Sequence, residues 1–312
     1  MKKWLPEELG EIPCDFCGAR EIAKQFIRKD GMRVGECAQC GLAYLNPRPK
    51  PEFITRFYDP DYFTGVAAER GEGGLKCNLV PTPIEQKINS RVMKIIDEKF
   101  GGFEEKDVIE IGCATGDLLI QMKDAGARVK GLEISDFAAR YARKRGLDVK
   151  TVTIDDFASK NPESFDILFA LEVIEHVLSP TQFMKFSAQL LRPKGLLVLS
   201  TPNYRCAKRF GNEWFGFNAS FEHIYFFSIE ILKEMGMQTM MELEYWETST
   251  YSGGPIGSES FFGRKIRQIL DFCFVVKNVG SYHIVKNVHR GLSSCNKFGI
   301  GHTMFAIFKK KL

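Results

Sequence analysis

Apolar residues recur along this chain in two rhythms. Between 83 and 99, Ile88, Val92, Ile95 and Ile96 share one face at helical spacing, which predicts an amphipathic helix. Short apolar runs then alternate with helical patterns. DVIEIG reads as strand, TGDLLIQMKDAG as helix, ARVKGLEI as strand and SDFAARYARKRG as helix. Ser135 suits the N-cap of that last helix and Gly146 its stop. LDVKTV and the wholly apolar FDILFALE read as further strands. A helix near 180–191 with Pro180 at its start, the strand GLLVLSTPN and a final strand-like TMFAIF follow. Strands alternating with helices over 81–246 predict an α/β fold, a Rossmann-like sheet with helices on both faces. Residues 247–301 break the alternation.

The N-terminal part has neither rhythm. Residues 1–50 hold two cysteine pairs, and 51–82 run from the aromatic FITRFYDPDYF into GVAAERGEGG, a linker-like composition. Three segments result: a cysteine segment at 1–50, an aromatic lid and linker at 51–82, and one large domain at 83–312 with a basic insertion at about 247–301. Composition fits such a chain, with 312 residues, 44% hydrophobic and 26% charged. No apolar run reaches the roughly 18 residues of a membrane span. The opening MKKWLPEELGEIP has no apolar core of a secretory signal. Nine cysteines, an odd number with four in a metal-type pattern, point to a reducing cytoplasm. Net charge is only +4, but residues 264–312 hold ten Lys/Arg against one acid, Asp271.

The first strand ends in E-I-G-C-A-T-G-D, residues 110–117. A dinucleotide fingerprint would need glycine at 114 and 117, where Ala114 and Asp117 stand, and no G-K-[ST] follows. The pattern Glu110, Gly112, Ala114, Gly116 resembles motif I of class I S-adenosylmethionine-dependent methyltransferases. The resemblance continues through Glu133 at the end of the next strand, ESFDILFALEVIEHV, LLRPKGLLVLSTPN and the final strand. It implies S-adenosylmethionine as cofactor, with its ribose on Glu133 and Leu171 lining the same site. Asp155 or Asp156 would meet the adenine amine, unless they form a solvated helix cap.

Cys14, Cys17, Cys37 and Cys40 form C-x2-C-x19-C-x2-C, within the zinc-ribbon range. Four thiolates would close a tetrahedral shell, making a bound Zn2+ structural. The ribbon runs into C-G-L-A-Y-L-N-P-R-P, and together with the large domain it resembles zinc-containing methyltransferases of sugar and surface-glycan pathways. By the same resemblance Tyr58 and Tyr62 belong to a lid over the active site. Packing between domains is the other reading of these tyrosines.

ALEVIEHV, residues 170–177, spaces Glu172, Glu175 and His176 at i, i+3, i+4, which on a helix is one face. A later stretch, FEHIYFFS, carries Glu222 and His223. Three readings are open. His223 is a general base oriented by Glu222, with His176 placing substrate, as the resemblance to sugar methyltransferases implies. Alternatively Glu172, Glu175, His176 and His223 bind a catalytic divalent metal. Or Glu175 and His176 brace a helix. The loop 202–220 is long and aromatic, as a substrate loop would be, and Arg205, Lys208 and Arg209 could meet a phosphate there. The expected reaction is methylation of a small-molecule or glycan hydroxyl. The near variant is C-methylation of a nucleotide-linked keto sugar. RNA methylation is the more distant one, and residues 14–50, with seven basic and four acidic side chains, offer nucleic acid little. Residues 258–290 read as a basic helix on an anionic membrane surface or as one facing the core or another copy.

Overall fold

The computed structural model describes residues 4–54, 81, 83–218, 221–249 and 302–312. The proposed lid tyrosines and the basic segment 258–290 lie outside the described residues.

The N-terminal strands are β1 (Leu9–Gly10), β2 (Ile22–Ile27), β3 (Arg33–Cys37), β4 (Ala43–Leu45) and β5 (Arg48–Pro49). Two cysteine turns repeat one geometry. The Gly18 N–H donates to the Cys14 carbonyl at 2.8 Å, and the Gly41 N–H to the Cys37 carbonyl at 2.9 Å. Both glycines are left-handed, at φ +78° and +80°, which a side chain would resist.

The main sheet contains β6 (Asp107–Ile111), β7 (Arg128–Leu132), β8 (Val149–Lys150), β9 (Phe165–Leu171) and β10 (Leu191–Pro202). After β11 (Tyr225–Phe226), it is completed by β12 (Met241–Ser249) and β13 (Thr303–Lys310). Its order is β12-β13-β10-β9-β6-β7-β8, with β13 antiparallel to both neighbours. The chain moves outward from β6 to β8, then returns to β9 on the other side of β6. That reversal opens a crevice at the carboxyl ends of β6 and β9.

The described α-helices of five or more residues are α1 (Pro83–Phe100), α2 (Asp117–Asp124), α3 (Asp136–Lys144), α4 (Ile154–Ala158), α5 (Pro180–Leu190) and α6 (Ile229–Gln238). Ile88, Val92, Ile95 and Ile96 of α1 are all buried, as their spacing predicts. Ser135 caps α3, its hydroxyl accepting from the Ala138 N–H. Side chains of β9 alternate between two cores. Ile167 and Phe169 pack with α1, while Leu168 and Ala170 pack in a core that also holds Cys14, Val34 and Tyr44 of the cysteine segment. Each such buried apolar side chain contributes roughly 1.5–3 kcal/mol. No described helix is long and apolar enough to cross a membrane.

The cysteine segment is not closed on itself. Its four-stranded sheet has the order β11-β4-β3-β2, so the strand after His223 is its outer member. Tyr225 pairs with Tyr44 and Phe226 with Ala43. At the other end of the fold, Ser249 pairs with Thr303, which also pairs with Pro202 at the carboxyl end of β10.

Candidate active site

The loop after β6 is wound through three left-handed positions, Gly112 at φ +70°, Ala114 at +46° and Gly116 at +83°. The glycines are also dictated by packing. A Cβ on Gly112 would lie 2.8 Å from Val173 Cγ2, and one on Gly116 2.2 Å from Leu147 Cδ1. Ala114 bears the strain of its φ in exchange for its N–H, which donates to Glu133 Oε2 at 2.9 Å. The other oxygen of Glu133 accepts from the Ser135 N–H at 2.8 Å. Glu133 thus joins the loops after β6 and β7, a task the sequence did not reveal. Each oxygen keeps a lone pair for a ligand hydroxyl.

Beneath this loop lies Glu110. It is buried, and among the described residues its Oε2 has no hydrogen-bond partner. Burial, reinforced by the charges of Glu133 and Asp117, pushes its pKa up to about 8. A desolvated acidic loop with an orphaned carboxylate oxygen fits a cationic ligand, and S-adenosylmethionine carries both an ammonium and a sulfonium. Ile134, next to Glu133, exposes 55% of its surface, an apolar shelf that sequence reasoning passed over. Leu171 is half-buried at the end of β9, and Asp155 is exposed in the first turn of α4.

ALEVIEHV is not a helix. The strand runs to Leu171, Glu172 turns the chain at φ +53°, and residues 172–178 form turns before Ser179 caps α5. The carboxylates therefore separate instead of sharing a face. Glu172 stays with β10: its Oε1 accepts from the Ser200 hydroxyl at 2.8 Å, and its N–H donates to the Ser200 carbonyl at 3.0 Å. Burial raises its pKa to about 7, with Glu85 adding repulsion.

Glu175 turns inward and is fully buried. Its carbonyl accepts the N–H groups of Ile224 at 2.9 Å and Tyr225 at 3.1 Å, which pins the His223 segment against this turn. Its Oε1 lies 3.8 Å from His223 Nε2 and 3.9 Å from His176 Nε2. The imidazoles meet edge-on with centroids 4.7 Å apart. Neither carboxylate oxygen of Glu175 has a hydrogen-bond partner among the described residues. Burial holds Glu175 well above the usual carboxylate range, with Glu172 adding to the effect. Burial also holds His223 well below the usual imidazole range, assisted by charge on His176 and Arg28. His176 is lowered by burial too, against the opposing pull of Glu222. Glu175 is the carboxylate beside His223, while Glu222 acts on His176. Burial thus favours the uncharged imidazole of His223, the form from which a general base acts, while lowering its affinity for the proton.

The four cysteine sulfurs lie within 4.8 Å of one another, with Cys14–Cys40 and Cys17–Cys37 each at 3.5 Å. A tetrahedral zinc shell has sulfur–sulfur edges of roughly 3.8 Å at the usual Zn–S length, so the donor set fits. Two of the three expected phosphate ligands are engaged elsewhere. Arg205 pairs with Glu230, and Lys208 lies 3.7 Å from Glu36.

A family model described as a methyltransferase domain matches residues 84–239. The ubiquinone biosynthesis O-methyltransferase of Nitrosomonas europaea is 33% identical over 123 residues, 38% of this chain and 52% of that protein. The enzyme of the same name from Saccharophagus degradans is 36% identical over 115 residues, 35% of this chain and 48% of that one. The chain thus spans about half the length of the curated relatives it matches. Among solved structures, magnesium protoporphyrin IX methyltransferase from Synechocystis PCC 6803 superposes with a TM-score of 0.52 at 13% identity, covering 84% of this chain and 100% of that one. The [4+2]-cyclase SpnF superposes with a TM-score of 0.52 at 16% identity, covering 85% and 97%. At such identities these two likenesses speak to the fold alone.

Proposed function

The chain belongs to the methyltransferase-domain family of class I, S-adenosylmethionine-dependent enzymes, and from that premise we propose that it methylates a hydroxyl oxygen of a small acceptor, a sugar or glycan. The observation that carries this reading is the buried Glu175–His176–His223 cluster, built partly by the turn that leaves the carboxyl end of β9. A hydroxyl becomes a competent nucleophile when a neutral base takes its proton, and His223 is held neutral. Oxygen as the acceptor atom also agrees with the relatives, whose names specify O-methylation. The sugar or glycan rests on the likeness of the cysteine segment to those pathways.

The bound cofactor would supply a methyl group already activated on sulfur. Glu110, Gly112, Ala114, Gly116, Glu133 and Leu171 are the residues that would hold it, with Asp155 at the rim. Glu172, fixed by Ser200, would orient the acceptor hydroxyl. His223 Nε2 would accept the hydroxyl proton as the oxygen attacks, with Glu175 Oε1 placed 3.8 Å away to orient the imidazole. His176 packs against His223 and narrows its motion. Zinc on Cys14, Cys17, Cys37 and Cys40 would have a structural role.

The test is transfer of radiolabelled methyl groups to a panel of sugar nucleotides, glycans and phenols. His223→Ala should abolish transfer, a loss of about 100-fold or more, with cofactor affinity unchanged. Full activity in that variant would sink the assignment. Glu175 favours a second reading, because a bare carboxylate between two imidazoles also suits a divalent cation. Activity lost on mild chelation and restored by Mg2+ or Mn2+ would establish it in place of the metal-free one.

A further inference from the structure

We propose that the cysteine ribbon is a positioning element of the acid–base cluster, acting through Arg28 and Arg48. The inference rests on the reading of His223 as the base.

Arg28 follows β2, and its side chain is fully buried. Its Nη1 donates to the His223 carbonyl at 2.8 Å and its Nη2 to the Phe221 carbonyl at 3.0 Å. Nε donates to Asp30 at 3.1 Å, which balances the charge. The guanidinium also lies 5.3 Å from the centroid of the Phe221 ring. Burying a cation is costly unless it is paired and fully hydrogen-bonded. Here the planar fork grips the main chain on two sides of one turn, a geometry lysine cannot reproduce.

Arg48, on β5, makes the second grip. Its Nη1 donates to the Leu178 carbonyl at 2.8 Å and to the Tyr225 hydroxyl at 2.7 Å. Leu178 stands two residues after His176, and Tyr225 two after His223. One guanidinium therefore ties together the segments that carry the two imidazoles.

The cysteine turns themselves join this frame. Asp15, between Cys14 and Cys17, accepts the Thr181 N–H at 2.9 Å in the first turn of α5. β4, which begins just past Cys40, pairs with β11, and the Leu45 N–H donates to the Ile224 carbonyl at 2.9 Å. None of these contacts involves the glycine-rich loop or Glu133. Loosening the ribbon should therefore disturb the imidazoles while leaving the cofactor site intact.

The experiment follows the imidazole nitrogen resonances of His176 and His223, and hydrogen exchange at Ile224 and Tyr225, in the isotope-labelled full-length protein. Wild type is compared with Arg28→Gln, Arg28→Lys, Arg48→Gln and protein stripped of metal by a chelator under reducing conditions. Calorimetry reports S-adenosylmethionine affinity in each. Both glutamine variants and the stripped protein should shift the His223 resonances and speed exchange by about tenfold or more. Cofactor affinity should stay within about twofold of wild type. Arg28→Lys should recover part of the wild-type spectrum, and added Zn2+ should restore it in proportion to metal bound. Unchanged resonances and exchange in folded variants would overturn the proposal. So would cofactor affinity falling in step with the exchange, which would mark general loosening. If Arg28→Gln shows no cooperative melt, the half-exposed Arg48 decides the matter alone. Failure of the base assignment looks different: His223→Ala would keep its methyl-transfer activity while the Arg28 and Arg48 variants still shifted their spectra.

Discussion

Replacing Glu110 by Gln should turn a pH-sensitive fold into a less sensitive one. The buried carboxyl has a pKa of about 8 against a reference of 4.5, a difference worth about 5 kcal/mol. Because the folded value is raised, the stabilisation is complete below pH 4.5 and is lost as pH rises through about 8. Between pH 5 and pH 9 wild type should therefore lose about 4 kcal/mol more than Glu110→Gln. Glu172 is also raised in both proteins, while Glu133, whose charge helps raise Glu110, should ionise more easily beside a neutral Gln and so widen the difference. Urea unfolding at a series of pH values measures the difference. Saturating S-adenosylmethionine should shrink the wild-type loss, since a cation beside the carboxylate lowers the cost of ionisation. Parallel stability curves for the two proteins would refute the reasoning, for they would mean that Glu110 ionises as easily folded as unfolded.

Three other outcomes are expected. Gly116→Ala should cost about 2–4 kcal/mol by urea unfolding, since φ is +83° and the new Cβ would lie 2.2 Å from Leu147 Cδ1. Arg91→Met should cost about 2–3 kcal/mol in the same assay, because it strips buried Glu247 of partners at 2.7 and 2.5 Å. Cys37→Ser should lower bound zinc, read by elemental analysis, and lower the melting temperature, because Cys37 ends β3 and its Sγ faces Cys17 at 3.5 Å.

Much of the main sheet could be read from local pattern. The α1 face, the Ser135 cap and the runs at β6, β7, β9 and β10 are set by neighbours in sequence, where periodicity and capping act. The loop at Gly112–Gly116 was legible because left-handed turns need small residues. What escaped reading depends on distant pairing. β11 joins β4 across about 180 residues, and no local period announces that. Arg28 in sequence resembles any solvated arginine, and its burial is set by carbonyls of residues 221 and 223. Helical spacing puts Glu172 on one face with Glu175 and His176, but the chain turns at Glu172 and leaves Glu175 between the two histidines. Residue type pointed to Glu175, His176 and His223, and tertiary structure brings them together.

The pairing of Ser249 with Thr303 has a consequence for how the edge of this sheet is set. Adjacent antiparallel strands lie about 5 Å apart, so the chain leaves the sheet and re-enters it through neighbouring doors. Thr303 pairs with Pro202 at the carboxyl end of β10, and Ser249 lies one strand further out. The register of β12 with β13 is therefore set by the strands themselves, from Met241–Lys310 to Ser249–Thr303. A short turn grafted across the two strands should leave the register of β12 and β13 intact.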